Sequence, residues 1–393
     1  CHWIHEDPVK QGLLYLGTEN AIYFSFNDGK NWLPIQNNMP HAPVHHMVVQ
    51  EHFNDLVVGT YGRGFWIMDD ITPLQQFDKK VLKSEIHLFK PRNAYRFHRK
   101  TGSPSGSATA LINYYLKDKT DSGVTVRIKD SEGNIISTRR GSNQQGINRV
   151  SWNMRYPGAT SIKLRIKPED NPTVVEEKRY RTTWIKEGWY PFQSWGTSGG
   201  LSGYMVAPGT YTIELEADGK TFTEVLKVLK DPSSEGSQSE IQANLELQHK
   251  LQKDINLATK MINEVEWIRK KLVDLNDYPS EKGDKFHLSD KIKAFDSQLA
   301  KVEDQLLQPI SREGDSKSFR YPNRIYSKLS VLAGDVSKNF DFAPNKQQVE
   351  VYKNLHNRLI DIEKQLKQVL LVDLAEFNNL LQKNEISSIN SNW

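Results

Sequence analysis

The apolar residues change their period near residue 237, and this change limits the chain to two kinds of element. Beyond it, apolar side chains recur at alternating intervals of three and four residues over 241–275. A stripe of this kind runs along one face of a helix. Three further stripes follow, with prolines between them: 288–306, 325–332 and 349–369. The sequence therefore predicts an antiparallel helical bundle over residues 237–393.

Before the change, short apolar runs alternate with turn residues, which predicts strands. Residues 1–74 contain six such runs, a spacing typical of a meander, barrel or propeller. Residues 85–230 contain about seven predicted strands, which fits an Ig-like β-sandwich. A long insertion at 154–207 interrupts these strands, and its own residues show little clear hydrophobic pattern. The predicted fold class is thus a multidomain chain of β plus α structure.

Composition excludes several classes of protein. No apolar run approaches the roughly 20 residues needed to span a bilayer, so we expect no membrane span. The single cysteine excludes an intrachain disulfide and a Cys-based zinc site. The net charge of +4 is too small to indicate nucleic-acid binding. Residues 75–232 alone carry a net charge of +10. A charge of this size suits an anionic glycan or an acidic protein surface as partner. The alternative is that these side chains form a solvated face without a partner.

The sharpest local motif is Ser25-x-Asn27-x-Gly29-x-x-Trp32. It matches the Asp-box pattern, Ser-x-Asx-x-Gly-x-x-Trp. The motif predicts a stapled β-hairpin in which the Asn27 side chain folds back onto N–H groups of the turn. Gly29 takes a positive φ, and the Trp32 ring packs under the turn. The role of these four residues is structural.

The segments around the box extend the pattern: 12–19, 55–60 and 62–74. Together they resemble the last part of a sortilin-like propeller built from BNR (Asp-box) repeats, found in large bacterial proteins labelled glycosyl hydrolases. Segments 146–153 and 207–213 resemble an Ig-like module of the flagellar hook-capping type. Residues 321–334 and 375–378 are similar to the helical tail of the same family. The family has His where this chain has Tyr61, which argues against an acid–base role at that position.

The resemblance implies a function. Residues 1–74 would be the last blades of an incomplete propeller, and the upstream blades of the same parent chain would be their partner. The chain would be the non-catalytic C-terminal region of a large exported protein that binds or scaffolds glycans or protein partners. It would be periplasmic, cell-surface or secreted. The chain begins with Cys1 and shows no signal peptide, so we expect that segment upstream. The alternative is part of a propeller glycoside hydrolase whose catalytic carboxylates lie mostly upstream.

The sequence gives only weak support for catalytic residues within the chain. A glycosidase needs two carboxylates about 5–9.5 Å apart across the sugar, and Asp69 and Asp70 are neighbours whose side chains diverge. Arg63, between two glycines, would hold a carboxylate ligand or cap a turn. His45 and His46, as adjacent strand residues, are expected on opposite faces, so we predict no metal site. No phosphate-binding loop or other cofactor motif occurs, and no cofactor is predicted.

The insertion holds the best binding-site candidate. Trp184, Trp189 and Trp195 recur at spacings of five and six, which match neither a helix face nor a strand face. Aromatic rings beside Arg181 and Lys186 suit sugar stacking or a protein hot spot. We expect at least one ring to be exposed with one of these cations close to it, as a site for an oligosaccharide or a peptide. The alternative is a lid that buries its rings on the protein itself.

Overall fold

The computed structural model describes residues 1–35, 38–97, 109–167, 172–178, 180–192, 202–277, 285–308 and 321–391. The chain is mixed β plus α, as the sequence predicts. It divides into two compact units. The first contains residues 1–155 and 208–233, and the second contains residues 156–207 and 234–393.

The first unit begins with two antiparallel sheets whose strands follow chain order. One sheet consists of β1 (Trp3–Glu6), β2 (Leu14–Gly17), β3 (Ile22–Ser25) and β4 (Leu33–Ile35). The other consists of β5 (Val44–Gln50), β6 (Asp55–Thr60) and β7 (Phe65–Met68). The six predicted strands correspond to β2–β7, and β1 is additional. A shared core holds the sheets together, and it includes Leu13, Tyr15, Val44, Met47, Leu56 and Val58.

Two short helices follow, α1 (Thr72–Gln76) and α2 (Lys79–Lys83). The next strands are β8 (Ile86–Leu88), β9 (Ala94–Arg96), β10 (Ala110–Leu116), β11 (Val124–Lys129), β12 (Ile135–Gly141) and β13 (Gly146–Trp152). The second unit contributes β14 (Lys163–Leu164) and β15 (Tyr190–Pro191). The chain then returns to the first unit with β16 (Gly209–Ala217) and β17 (Lys220–Lys230).

These later strands of the first unit form two further sheets that pack against each other. One has the order β13-β10-β8, and the other has the order β12-β11-β16-β17-β9. The rings of Trp152 and Tyr211 meet edge to face between them, with centroids 5.5 Å apart. The Tyr114 hydroxyl crosses in the same way and donates to the Ser142 carbonyl at 2.5 Å. The rings of Trp152, Tyr211 and Tyr114 are buried, so apolar packing with a few directed bonds joins the two layers.

The second unit is built on helices: α3 (Arg181–Glu187), α4 (Gln238–Asp277), α5 (Lys285–Leu306), α6 (Ile325–Lys338), α7 (Lys346–Gln368) and α8 (Leu374–Lys383). A π-helical turn, Val369–Asp373, joins α7 to α8. The apolar stripes of α4–α8 meet in one core that includes Ile255, Ile262, Leu299, Leu329 and Leu359. Within the described residues, no helix combines the length and the apolar character that crossing a membrane requires.

The Asp-box hairpin has the predicted geometry. The Ser25 hydroxyl accepts the Gly29 N–H at 3.0 Å, and the Asn27 side-chain oxygen accepts the Asn31 N–H at 2.9 Å. Gly29 has a φ of +79°. A methyl group at Gly29 would lie 3.5 Å from the Trp32 ring, so the half-buried indole lies directly under the turn.

The expectation that His45 and His46 face opposite sides is wrong. A β-bulge between Val44 and His46 breaks the alternation of β5, and both imidazoles are exposed. His45 stacks on His2 with ring centroids 4.5 Å apart, while His46 packs on Trp3 at 4.2 Å. The rings therefore lie against aromatic neighbours. Among the described residues no group of His, Cys, Asp and Glu is arranged to hold a metal ion.

The carboxylates that follow β7 have separate environments. Asp70 is buried, with a φ of +55°. One of its oxygens accepts the Thr72 hydroxyl at 2.5 Å, and the other accepts the Asn113 side-chain amide at 2.8 Å. Asp70 thereby fastens the end of β7 to β10. The side chains of Asp69 and Arg63 are exposed.

We predict that Asp70→Ala lowers the free energy of unfolding by about 2–4 kcal/mol, because the Asn113 amide and the Thr72 hydroxyl lose their buried acceptor. Asp69→Ala is the matched control and should change it by less than about 0.5 kcal/mol. Urea unfolding followed by circular dichroism measures both. Equal stability of the two variants would contradict a structural role for Asp70.

Candidate ligand-binding site

The aromatic insertion belongs to the same compact unit as the helices. Its apolar side chains enter their core: Ile162, Leu164, Val175, Tyr180, Tyr190 and Phe192. The segment is therefore part of the packed structure of the second unit. This burial fixes its backbone and determines which of its side chains reach the surface.

Polar side chains on one face of α4 hold the first part of the segment. Gln252 donates to the Pro157 carbonyl at 2.8 Å, and the Asn256 side-chain oxygen accepts the Thr160 N–H at 2.8 Å. Two turns further along α4, the Asn263 side-chain oxygen accepts the Lys163 N–H at 2.7 Å. Residues spaced by four and seven lie on the same helix face. They give the irregular backbone the hydrogen-bond partners that a neighbouring strand would otherwise supply.

Glu266 completes this face. Its side chain is fully buried, and one carboxylate oxygen accepts the N–H groups of both Arg165 and Ile166, the latter at 2.8 Å. On the other edge of the segment, β14 pairs with β15, so that Leu164 lies opposite Tyr190. Between the two strands, α3 ends at Gly188, whose left-handed φ of +63° lets its N–H cap the Trp184 carbonyl.

This arrangement brings three cations over three indole rings. Lys163 Nζ lies 5.0 Å from the centre of the Trp189 ring. The Arg165 guanidinium lies 5.3 Å from the Trp267 ring, and Lys167 Nζ lies 5.8 Å from the Trp184 ring. All three distances are within the range of a cation–π interaction. We refer to these three pairs as the cation–tryptophan row.

The three cations come from one short stretch of backbone, which begins as strand β14 (Lys163–Leu164) and bends at Ile166. They alternate in sequence with Leu164, which is buried, and Ile166, which is half-buried. The tryptophans come from three elements: α3, the residue before β15, and α4. Trp267 also lies 4.7 Å from Lys271, so its ring contacts two cations.

A cleft of about 500 Å³ opens beside the middle pair of the row. It is lined by Thr160, Arg165, Asn256, Lys260, Asn263, Glu264 and Trp267. Burial lowers the pKa of Arg165, and the charge of Glu266 acts in the opposite direction. Because an arginine titrates far above neutral pH, the guanidinium keeps its charge. The cleft thus combines two cations, one carboxylate, an indole surface and neutral polar side chains.

The predicted site residues are only partly brought together here. Trp184 and Trp189 are half-buried members of the row, and Trp195 lies outside the described residues. Arg181 donates to the Glu176 carbonyl at 2.8 Å, and Lys186 is exposed on α3. The cations over the rings are instead Lys163, Arg165 and Lys167. The sequence analysis did not predict these three residues or Trp267. The alternation Lys-x-Arg-x-Lys at 163–167 is the sequence pattern that could have indicated the cations.

The Asp-box residues and the weakly supported catalytic candidates, Asp69, Asp70 and Arg63, belong to the first unit.

The chain matches no family model and no curated protein.

We predict that Glu266→Ala loosens the segment, because two part-buried N–H groups lose their acceptor. The free energy of unfolding should fall by about 2–4 kcal/mol. In hydrogen-exchange mass spectrometry, peptides covering 160–167 should exchange faster, while those covering β10 and β11 should not change. Glu246→Ala, at an exposed position of the same helix, is the control. Identical exchange of 160–167 in both variants would contradict this role for Glu266.

Proposed function

We propose that this chain is the non-catalytic C-terminal region of a larger exported, sortilin-like propeller protein, and that its cation–tryptophan row binds an anionic glycan. The assignment to the family rests on the motif resemblance. Two features of the first unit support it: an antiparallel four-stranded sheet in chain order, the form of a propeller blade, and the Asp-box hairpin attached to it.

The observation that carries the binding proposal is the row itself. Lysine side chains on a surface are normally mobile, and a ligand that fixes them must offset the lost entropy. In the row each cation already lies against an indole ring, so part of that cost is met before binding. Three positive charges within five residues suit a polymer with repeated negative charges.

The neutral groups beside the row favour a carbohydrate. A sugar ring presents hydroxyl groups at its rim and apolar C–H groups on its faces, and half-exposed indoles with polar neighbours complement both. Thr160 is exposed at the cleft, next to Arg165 and Trp267. The second unit, residues 156–207 and 234–393, carries a net charge of only +1. That charge does not favour the sequence-independent attraction on which nucleic-acid binding depends.

We expect heparin or polygalacturonate, but not dextran, to quench tryptophan fluorescence of the protein, with weaker binding at high salt. The double variant Lys163→Gln/Lys167→Gln should bind about tenfold more weakly, since two partly exposed ion pairs are lost. Lys186→Gln is the matched control and should bind as the parent does.

The same titration with polyglutamate separates a glycan site from an acidic-peptide site. Polyglutamate that binds as tightly as the polysaccharides would contradict glycan selectivity. A Lys186→Gln variant that loses as much affinity as the double variant would contradict the assignment of the site to the row.

The proposal that this chain is non-catalytic gives a second expectation. The purified chain should not hydrolyse aryl glycosides or the polysaccharides that it binds, because a glycosidase needs two available carboxylates and Asp70 is committed to buried hydrogen bonds. Reducing-sugar release measures this directly. Turnover that Asp69→Asn or Asp70→Asn abolishes would favour the glycoside hydrolase instead.

A further inference from the structure

Trp189, one ring of the cation–tryptophan row, has a second charged neighbour besides Lys163. Its indole N–H donates a hydrogen bond to the carboxylate of Glu187, which is exposed. The N–H groups of Trp184 and Trp267 meet no acceptor among the residues that the structure describes. Trp189 is therefore held at its edge by an anion and on its face by a cation.

The turn at the end of α3 brings Glu187 to Trp189. Side chains two residues apart in a helix point to different faces and do not meet. Glu187 is the last residue of α3, and Gly188 then takes a left-handed φ of +63°, which ends the helix. The contact across this turn depends on the glycine, because a left-handed φ is without strain only for that residue type.

The pairing of β14 with β15 brings Lys163 to the same ring from the other side. Lys163 lies opposite Pro191 in this ladder, and Trp189 comes two residues before Pro191. Such diagonal neighbours are about 7–8 Å apart, within the reach of a lysine and an indole. Lys163 Nζ accordingly lies 5.0 Å from the centre of the ring.

Both contacts match the charge distribution of the indole. An aromatic ring is negative on its face and positive at its edge. The cation of Lys163 lies over the face, and the anion of Glu187 accepts the N–H at the edge. A carboxylate bonded to the N–H polarises the ring and makes its face more negative, so each contact strengthens the other.

The position of Glu187 is otherwise unfavourable for an acid. A negative charge at the C-terminus of a helix is repelled by the helix dipole, and the neighbouring Lys186 has the charge that this position favours. A carboxylate beside the row also repels an anionic ligand. A residue that breaks local rules is expected where a function compensates for it. The compensation that the structure shows is the hydrogen bond to Trp189.

We propose that Glu187 is a positioning residue of the glycan site. It holds Trp189 at the edge, so that the ring keeps Lys163 in place before the ligand arrives, and it does not itself contact the ligand. This inference rests on the proposed function of the row. It divides the effect of Glu187 into two parts: its hydrogen bond favours binding of an anion, and its charge opposes it.

Two substitutions separate these parts. Glu187→Gln removes the charge and keeps an acceptor for the indole N–H, whereas Glu187→Ala removes both. In calorimetric titrations with heparin, Glu187→Gln should bind at least as tightly as the parent. Glu187→Ala should bind about fivefold more weakly than Glu187→Gln, because only the hydrogen bond distinguishes them. Glu176 is an exposed acid that precedes α3, and its Gln and Ala variants, as matched controls, should bind alike.

The position of Lys163 can be measured without a ligand. An amine held over an indole reacts more slowly with an acylating reagent than a mobile amine does. With limiting acetylating reagent and quantification by mass spectrometry, Lys163 should react about two- to threefold faster in Glu187→Ala than in Glu187→Gln. Lys186, which is exposed and outside the row, should react at the same rate in both variants. Circular dichroism checks that both are folded.

Equal heparin affinity of the two Glu187 variants overturns the positioning role. If both bind like the parent, the hydrogen bond does not matter; if both bind more weakly, the carboxylate itself contacts the ligand. A parent chain that does not bind heparin, polygalacturonate or any other polyanion contradicts the proposed function instead. The labelling of Lys163 still decides the inference in that case, since equal rates in the two variants show that Glu187 does not position this lysine.

Discussion

The buried carboxylate of Glu266 accepts the backbone N–H groups of Arg165 and Ile166, and the geometry of the candidate site depends on this interaction. A segment with almost no regular structure must find acceptors for its buried N–H groups, since leaving one unpaired costs about 1–3 kcal/mol. Helix α4 supplies them from Asn256, Asn263 and Glu266 on one face. The backbone held in this way carries Lys163, Arg165 and Lys167, and its path places each of them against its indole ring.

The first unit uses the same device at its own irregular points. Asp7 is buried and accepts the Tyr15 hydroxyl at 2.9 Å together with the N–H groups of Val9 and Lys10. Burial, with the neighbouring charge and hydrogen bond of Asp7, raises the pKa of Tyr15, so that phenol remains a donor at physiological pH. Asp70 acts likewise where β7 ends. Short polar side chains thus stabilise the turns between sheets while apolar packing holds the sheets together.

The cation–tryptophan row is charged and preorganised by aromatic contacts, so the anionic ligand that we propose for it should bind in a salt-dependent way.

The sequence by itself determined the elements whose signal is local. The change of apolar period separates strands from helices, because the periods of two and 3.6 follow from backbone geometry alone. The Asp box gave its hairpin for the same reason: Ser25, Asn27, Gly29 and Trp32 act within eight residues. Only the tertiary structure decided where the insertion packs, since its hydrogen-bond partners on α4 are about 100 residues away. It also decided that Trp267 joins the row, and that a bulge turns His45 and His46 to one side. These outcomes depend on long-range contacts and on register, which no local pattern of residues encodes.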